Sequence, residues 1–273
     1  MQQLEMLDSM RCLSLPLSIR FGVMNRQMVD RSPLINPTDL PLHPAIAIAT
    51  DSALVVAPHP DDETLGCGGA IALLRSQSCA VQVLVISDGT MSHPRSRKYP
   101  PTALRALREA ETRSALVALG VDASRVSFLR LKDGAIPTLE CPGFRDAVAS
   151  CRDYLAAFAP KMIFLPWRYD PHPDHRATWQ LIHTALVDLP EARLIEYPIW
   201  DWDPKQRGVL PESEQVTAWR LDISKVLASK QTAIAAYRSQ TTNLIDDDPE
   251  GFRLTPEMLA NFARPWEVYL EAI

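Results

Sequence analysis

Ala53-Leu54-Val55-Val56-Ala57-Pro58-His59-Pro60-Asp61-Asp62-Glu63 is an apolar run that stops abruptly at a histidine and three carboxylates. A short apolar run bounded by turn residues reads as a buried strand, so the polar residues occupy the loop at its carboxyl end. Open parallel sheets bind their ligands in such loops. Met162-Ile163-Phe164-Leu165 followed by Asp170-Pro171-His172-Pro173-Asp174-His175 has the same arrangement. A fold that brings the two strand ends together would join two sparse sets of ligands into one metal site.

Working outward, a helical pattern from Leu65 to Ser76 and an apolar run from Ala80 to Ile86 complete a strand–helix–strand unit. Leu104, Leu107, Ala110, Ala115, Leu116 and Leu119 share one helical face between Pro100-Pro101 and Gly120, a proline start and glycine stop. Further strands are predicted at 126–131, 162–166, 193–197 and 216–221, with helices at about 143–158, 174–187 and 224–237. This alternation predicts an α/β fold: a Rossmann-like three-layer sandwich with a mostly parallel central sheet. Residues 51–273 form one domain in this scheme. Residues 1–50 lack sustained periodicity and carry Pro33, Pro37, Pro41 and Pro44, which predicts an extended arm, surface-packed or poorly ordered.

The chain has 273 residues, 47% of them hydrophobic, and a formal net charge of -5. A core of that size needs no second domain, and the charge argues against nucleic acid and anionic membrane as partners. A small-molecule substrate fits better. Five cysteines without a CxxC pair point to a reduced cytoplasmic protein rather than a disulfide framework. No apolar run approaches the roughly 20 residues that cross a bilayer.

His59 and Asp62 from the first cluster and His175 from the second make a three-ligand zinc set with room for a water; ferrous iron can share the same donors. Asp61 is then the candidate general base, and His172 the candidate for stabilising an oxyanion as an imidazolium or protonating a leaving amine. Asp170 or Asp174 can hold the His172 ring by accepting a hydrogen bond, and the sequence does not choose between them. Asp-Pro and His-Pro pairs also make turns, and an Asp-Asp-Glu run can simply cap a helix. Two such clusters at matching positions favour the metal site. Gly66-Cys67-Gly68-Gly69 lacks the GxGxxG order and a phosphate-binding lysine, so it predicts close helix packing, with Cys67 a small buried residue. His93, among turn residues, is expected to be a solvated loop histidine.

With these residues in view, the sequence resembles the N-acetylglucosaminyl deacetylase family, the LmbE-like or PIG-L group. Residues 57–63 correspond to the family's AHPDDE, with Pro58 a local departure, and His172-Pro173-Asp174-His175 to its HPDH. The resemblance implies zinc bound by His59, Asp62 and His175, with Asp61 as base and His172 as stabiliser or acid. Arg108-Glu109-Ala110-Glu111 with Ala118-Leu119-Gly120-Val121 is similar to the family's R-x-x-E helix ending in LGV, which implies that Arg108 contacts substrate. Asp133 in Leu131-Lys132-Asp133-Gly134 matches an aspartate that binds sugar hydroxyls. From the residues alone, Arg108 is an exposed helix charge and Asp133 a turn residue. Lys230 and Tyr237-Arg238-Ser239-Gln240 extend the resemblance to residue 240 as structural positions. The first 50 residues and those beyond Gln240 have no assigned counterpart.

The expected function is zinc-dependent removal of the acetyl group from an N-acetylglucosamine-type conjugate. Alternatives are a metal-dependent amidase for a larger N-acyl or thiol conjugate, with Tyr197 to Trp202 lining its pocket or serving as core, and a non-catalytic sugar- or metal-binding homologue.

Overall fold

In the computed structural model, the described residues are 34–273 apart from 188, 190, 206 and 208–214. Eight strands form one sheet: β1 (Leu42–His43), β2 (Ser52–Ala57), β3 (Ala80–Ser87), β4 (Val126–Leu131), β5 (Met162–Pro166), β6 (Arg193–Tyr197), β7 (Val216–Asp222) and β8 (Trp266–Ala272). Their spatial order is β1-β7-β8-β6-β5-β2-β3-β4. All pairings are parallel except the two made by β8. The helices are α1 (Asp62–Ser76), α2 (Pro101–Ala118), α3 (Phe144–Phe158), α4 (Pro173–Ala185), α5 (Leu227–Ala236), α6 (Arg238–Thr241) and α7 (Pro256–Phe262).

Side-chain alternation along the central strands divides the core in two. Ala53, Val55 and Ala57 of β2 pack with Val83 and Phe164 on the face covered by α1, α2 and α5; Leu54 and Val56 pack with Leu84, Ile163 and Leu165 on the face covered by α3 and α4. Strands buried on both faces read as unbroken apolar runs, which is why β2, β3 and β5 are visible in the sequence. The mostly parallel sheet with helices on both sides matches the expected fold class.

Two strands had no sequence prediction. β8 lies between β6 and β7, antiparallel to both, and β1 pairs with the outer side of β7. Of the segment predicted as an arm, residues 1–33 lie outside the described residues. Within 34–50, Leu34 and Ile48 are buried and the β1 residues add to the sheet edge.

The glycine-rich turn of α1 allows close packing. A Cβ at Gly66 would lie 2.2 Å from the Tyr197 ring, and one at Gly69 would lie 2.4 Å from Ile223. Glu267 of β8 reaches the same helix, accepting from the Gly69 and Ala70 amides (2.7 and 2.8 Å), from Tyr269 Oη (2.8 Å) and from Lys230 Nζ (2.6 Å). All of this is buried.

The chain runs from β2 through β3 to β4 in one direction, and β5 and β6 lie on the other side of β2. The β2–β5 boundary is therefore the switch point of the sheet, where two loops diverge and leave a crevice. Ala53, Leu54 and Val55 stand opposite Met162, Ile163 and Phe164, so the two histidine–aspartate loops leave neighbouring strands side by side.

Candidate active site

The loop after β2 is held in an unusual backbone shape. Asp61 has φ 132°, a conformation that non-glycine residues adopt only when their surroundings enforce it. Its amide donates to Glu63 Oε2 at 3.2 Å, and its carbonyl accepts from the Thr64 and Leu65 amides. Glu63 is buried and also accepts from the Thr64 hydroxyl at 2.8 Å and from the Tyr237 hydroxyl. Glu63 thus supports the turn, and the Asp61 side chain makes no capping hydrogen bond. It lines a cavity instead. Burial pushes its carboxyl up to about 8; Arg108 Nη2, 3.1 Å from Oδ2, opposes the shift, while Asp62 and Glu63 add to it.

The loop after β5 is organised by two aspartates. Asp170 Oδ1 accepts from the His172 amide (2.9 Å), and Oδ2 accepts from the Ile199 and Trp200 amides while lying 3.4 Å from His175 Nδ1. Asp174 Oδ2 accepts from the Gly134 amide (2.8 Å) and lies 3.1 Å from His59 Nε2. Neither carboxylate accepts from the His172 ring, so the choice between Asp170 and Asp174 as its partner does not arise. His172 caps α4 instead, its Nδ1 accepting from the Asp174 amide at 3.2 Å. Burial and the neighbouring His175 and His59 press its pKa down to about 4. In this arrangement the ring is neutral rather than an imidazolium, and its proton is left on Nε2.

These loops converge on a donor cluster. Asp62 Oδ2 lies 3.1 Å from His59 Nδ1 and 3.3 Å from His175 Nε2. Ligand atoms of His59, His172 and His175 lie within 4.8 Å of one another, as do those of His59, Asp133 and Asp174. The surroundings fit a divalent cation. His175 is fully buried, and among the described residues its ring nitrogens face carboxylates alone, Asp62 Oδ2 at 3.3 Å from Nε2 and Asp170 Oδ2 at 3.4 Å from Nδ1, neither in well-aligned hydrogen-bond geometry. Burial disfavours its charged form, yet Asp170 and Asp62 raise it to about 9. His59 is likewise raised well above its usual value against the effect of burial, by Asp133, Asp174 and Asp62. The cluster therefore carries an excess of negative charge that protons offset when no cation does.

The seven candidate metal, catalytic and substrate residues meet here. His59, Asp61, Asp62, Arg108, Asp133 and His172 line a cavity of about 470 Å³, with His175 behind them. Arg108 is buried rather than exposed: besides Asp61 it donates to the carbonyls of Gly89 (3.0 Å) and Pro60 (2.5 Å). Asp133 accepts from the Met91 amide at 2.8 Å and lies 3.3 Å from His59 Nε2. Burial works against its charge, but His59 holds it down at about 2.

Gln240, Phe252 and Leu254 were not foreseen as parts of the cavity. Trp200, Gln240, Phe252 and Leu254 complete its wall; the Trp200 ring stacks over His172 with centroids 6.3 Å apart, and Phe252 meets Trp200 edge-on at 5.6 Å. The aromatic run from Tyr197 to Trp202, expected either to line a pocket or to serve as core, divides: Trp200 faces the cavity, whereas Tyr197 is core and donates to the Val56 carbonyl. Gln240 belongs to a segment predicted to be structural. His93 is buried, not solvated, beneath Gly251. Met91 and Ser92 of the same loop line the cavity instead.

Residues 54–186 match the family model described as PIG-L: GlcNAc-PI de-N-acetylase. A Bacillus anthracis protein named "Probable N-acetyl-alpha-D-glucosaminyl L-malate deacetylase 2" is 32% identical over 223 residues, 79% of this chain and 94% of its own length. The chain belongs to the PIG-L (LmbE-like) family. A second PIG-L relative, the diacetylchitobiose deacetylase of Thermococcus kodakarensis, is 28% identical, covering 68% of this chain and 69% of its own. Among solved structures, the N,N'-diacetylchitobiose deacetylase of Pyrococcus horikoshii has the same fold, with a TM-score of 0.58, 23% identity and coverage of 86% and 85%. The chain is accordingly an N-deacetylase, a hydrolase of carbon–nitrogen bonds other than peptide bonds. No helix among the described residues is long and apolar enough to cross a membrane.

Proposed function

We propose that this PIG-L protein removes the acetyl group from an N-acetylglucosamine-type conjugate with zinc as its metal, releasing acetate and a free amine. The observation that carries this is the convergence of His59, Asp62 and His175 beside an aspartate whose proton affinity suits neutral pH. His59, Asp62 and His175 would hold the metal. When bound, zinc supplies a Lewis acid that polarises the amide carbonyl and acidifies the attacking water.

The chain's own groups do the rest. Asp61, raised to about 8, takes the proton of the attacking water and returns one to the leaving amine, because a base near the working pH can do both. Arg108 fixes that carboxylate in place. The Nε2–H of neutral His172 donates to the oxygen that becomes negative as the carbonyl turns tetrahedral. Asp133 and Arg108 are assigned to the sugar hydroxyls, on the strength of their place in the cavity wall and the family motif.

The test is turnover by metal-reconstituted protein on N-acetylglucosamine conjugates, with longer N-acyl conjugates as the competing set, read by free-amine release. Preferred release from the longer acyl set would overturn the N-acetyl assignment. Asp61→Asn should retain the metal, read by elemental analysis, while turnover falls by about 100-fold or more. Full activity in that variant would remove Asp61 as the base. We also place the protein in the cytoplasm, supported by the free thiols of Cys67, Cys79 and Cys151; recovery outside that compartment in cell fractionation would refute the placement.

A further inference from the structure

A second cavity of about 260 Å³ lies next to the first and shares Trp200 and Leu254 with it. Trp202, Met258 and Phe262 give it indole, thioether and phenyl surfaces, and Asp203, Thr255, Glu257 and Asn261 add a polar side. The Nε1–H groups of Trp200 and Trp202 are buried without a partner among the described residues, although a buried indole N–H ordinarily finds an acceptor. Trp202 is braced by Arg264, whose guanidinium carbon lies 4.8 Å from its ring centroid. Met258 and Phe262 come from α7, beyond the residues that match the PIG-L model.

From the adjacency of the two cavities, which share Trp200 and Leu254, we infer that the second is the aglycone subsite, and that the substrate is an amino-sugar conjugate with an apolar, O-glycosidically linked aglycone such as an alkyl or aryl group. The inference rests on the proposed N-acetyl hydrolysis. With the two-carbon acyl group at the metal cluster, the extended part of the substrate lies on the sugar's other side. The apolar walls take the hydrocarbon, and an oxygen at or near the glycosidic link accepts from an unpaired indole N–H. Trp200 then has two roles in one ring, stacking over His172 and separating sugar from aglycone.

The test compares methyl, butyl and hexyl glycosides of N-acetylglucosamine as substrates. In parallel, calorimetry on the metal-loaded protein measures binding of the corresponding glucosamine glycosides, the amine products. Burial of two or three methylenes should lower KM, and Kd for the product, by about 10-fold or more from methyl to hexyl. Met258→Trp, which narrows the cavity, should bring the hexyl-to-methyl ratio towards one, and Met258→Ala should keep or extend the preference for hexyl. Equal KM and Kd along the wild-type series, with all three substrates hydrolysed, would overturn the subsite and leave deacetylation standing. Absence of amine release from every glycoside would instead overturn the proposed function, while the calorimetric series still decides whether the cavity takes the alkyl chain. A hexyl preference unchanged in Met258→Trp would place the alkyl chain elsewhere and refute the assignment.

Discussion

At the residue scale, Asp61 and Arg108 form a matched pair. Desolvation drives the Asp61 carboxyl up, and the guanidinium beside it limits the rise. A base works only when ionised, so activity is present above its pKa and lost as the pH falls through it. Arg108→Met removes the opposing charge, which raises that pKa further and should move the acidic limb of kcat/KM to higher pH. An arginine that merely positioned substrate would raise KM and leave the limb in place, and a pH–rate profile separates the two. Helical periodicity showed Arg108 as one charge on an amphipathic helix, and the family motif implied a substrate contact; neither showed it paired with Asp61. Its burial depends on the Gly89 and Pro60 carbonyls, which belong to two other loops.

At the element scale, three glycines of α1 allow close packing: a Cβ at Gly66, Gly68 or Gly69 would meet Tyr197, Lys230 or Ile223. Tyr197 cannot retreat from Gly66, since its ring is buried and its hydroxyl is held by the Val56 carbonyl at 2.7 Å. Gly66→Ala should therefore destabilise the fold by about 1–3 kcal/mol, the usual effect of overpacking, measured as a lower denaturation midpoint. It should also weaken metal binding, because α1 carries Asp62 in its first turn. Most elements of the sheet were legible: the strand predicted at 126–131 coincides with β4, and that at 162–166 with β5. β8 was missed for an identifiable reason. It alternates only partly, Trp-Glu-Val-Tyr-Leu-Glu-Ala, and its Glu267 points into the core, where a carboxylate is not expected without its distant partners.

At the scale of the whole molecule, Glu267 and Lys230 tie the last strand to α1 and α5. A buried pair broken on one side leaves an uncompensated charge, so Lys230→Met should cost about 3–5 kcal/mol. Glu267→Leu should cost at least as much, because it strands the Gly69 and Ala70 amides as well as Lys230; chemical denaturation gives both values. The metal cluster adds a second global link. His59 and His175 are held protonated by the carboxylates around them, and a ligand nitrogen must lose its proton to bind. Metal affinity should rise with pH towards about 9, where His175 gives up its proton, and binding should release protons. Calorimetric titration of zinc in two buffers of different ionisation enthalpy reads this directly; identical heats would refute it.

The sequence by itself determined the alternation of strands and helices, and placed histidine–aspartate clusters at two strand exits, because those features depend on local periodicity and on residue type. Only the tertiary structure decided that β2 and β5 are neighbours, that Asp170 serves His175 rather than the His172 ring, and that Trp200, Phe252 and Leu254 close the cavity. These depend on contacts between segments far apart in the chain, where each residue's environment is set by partners that no local pattern specifies.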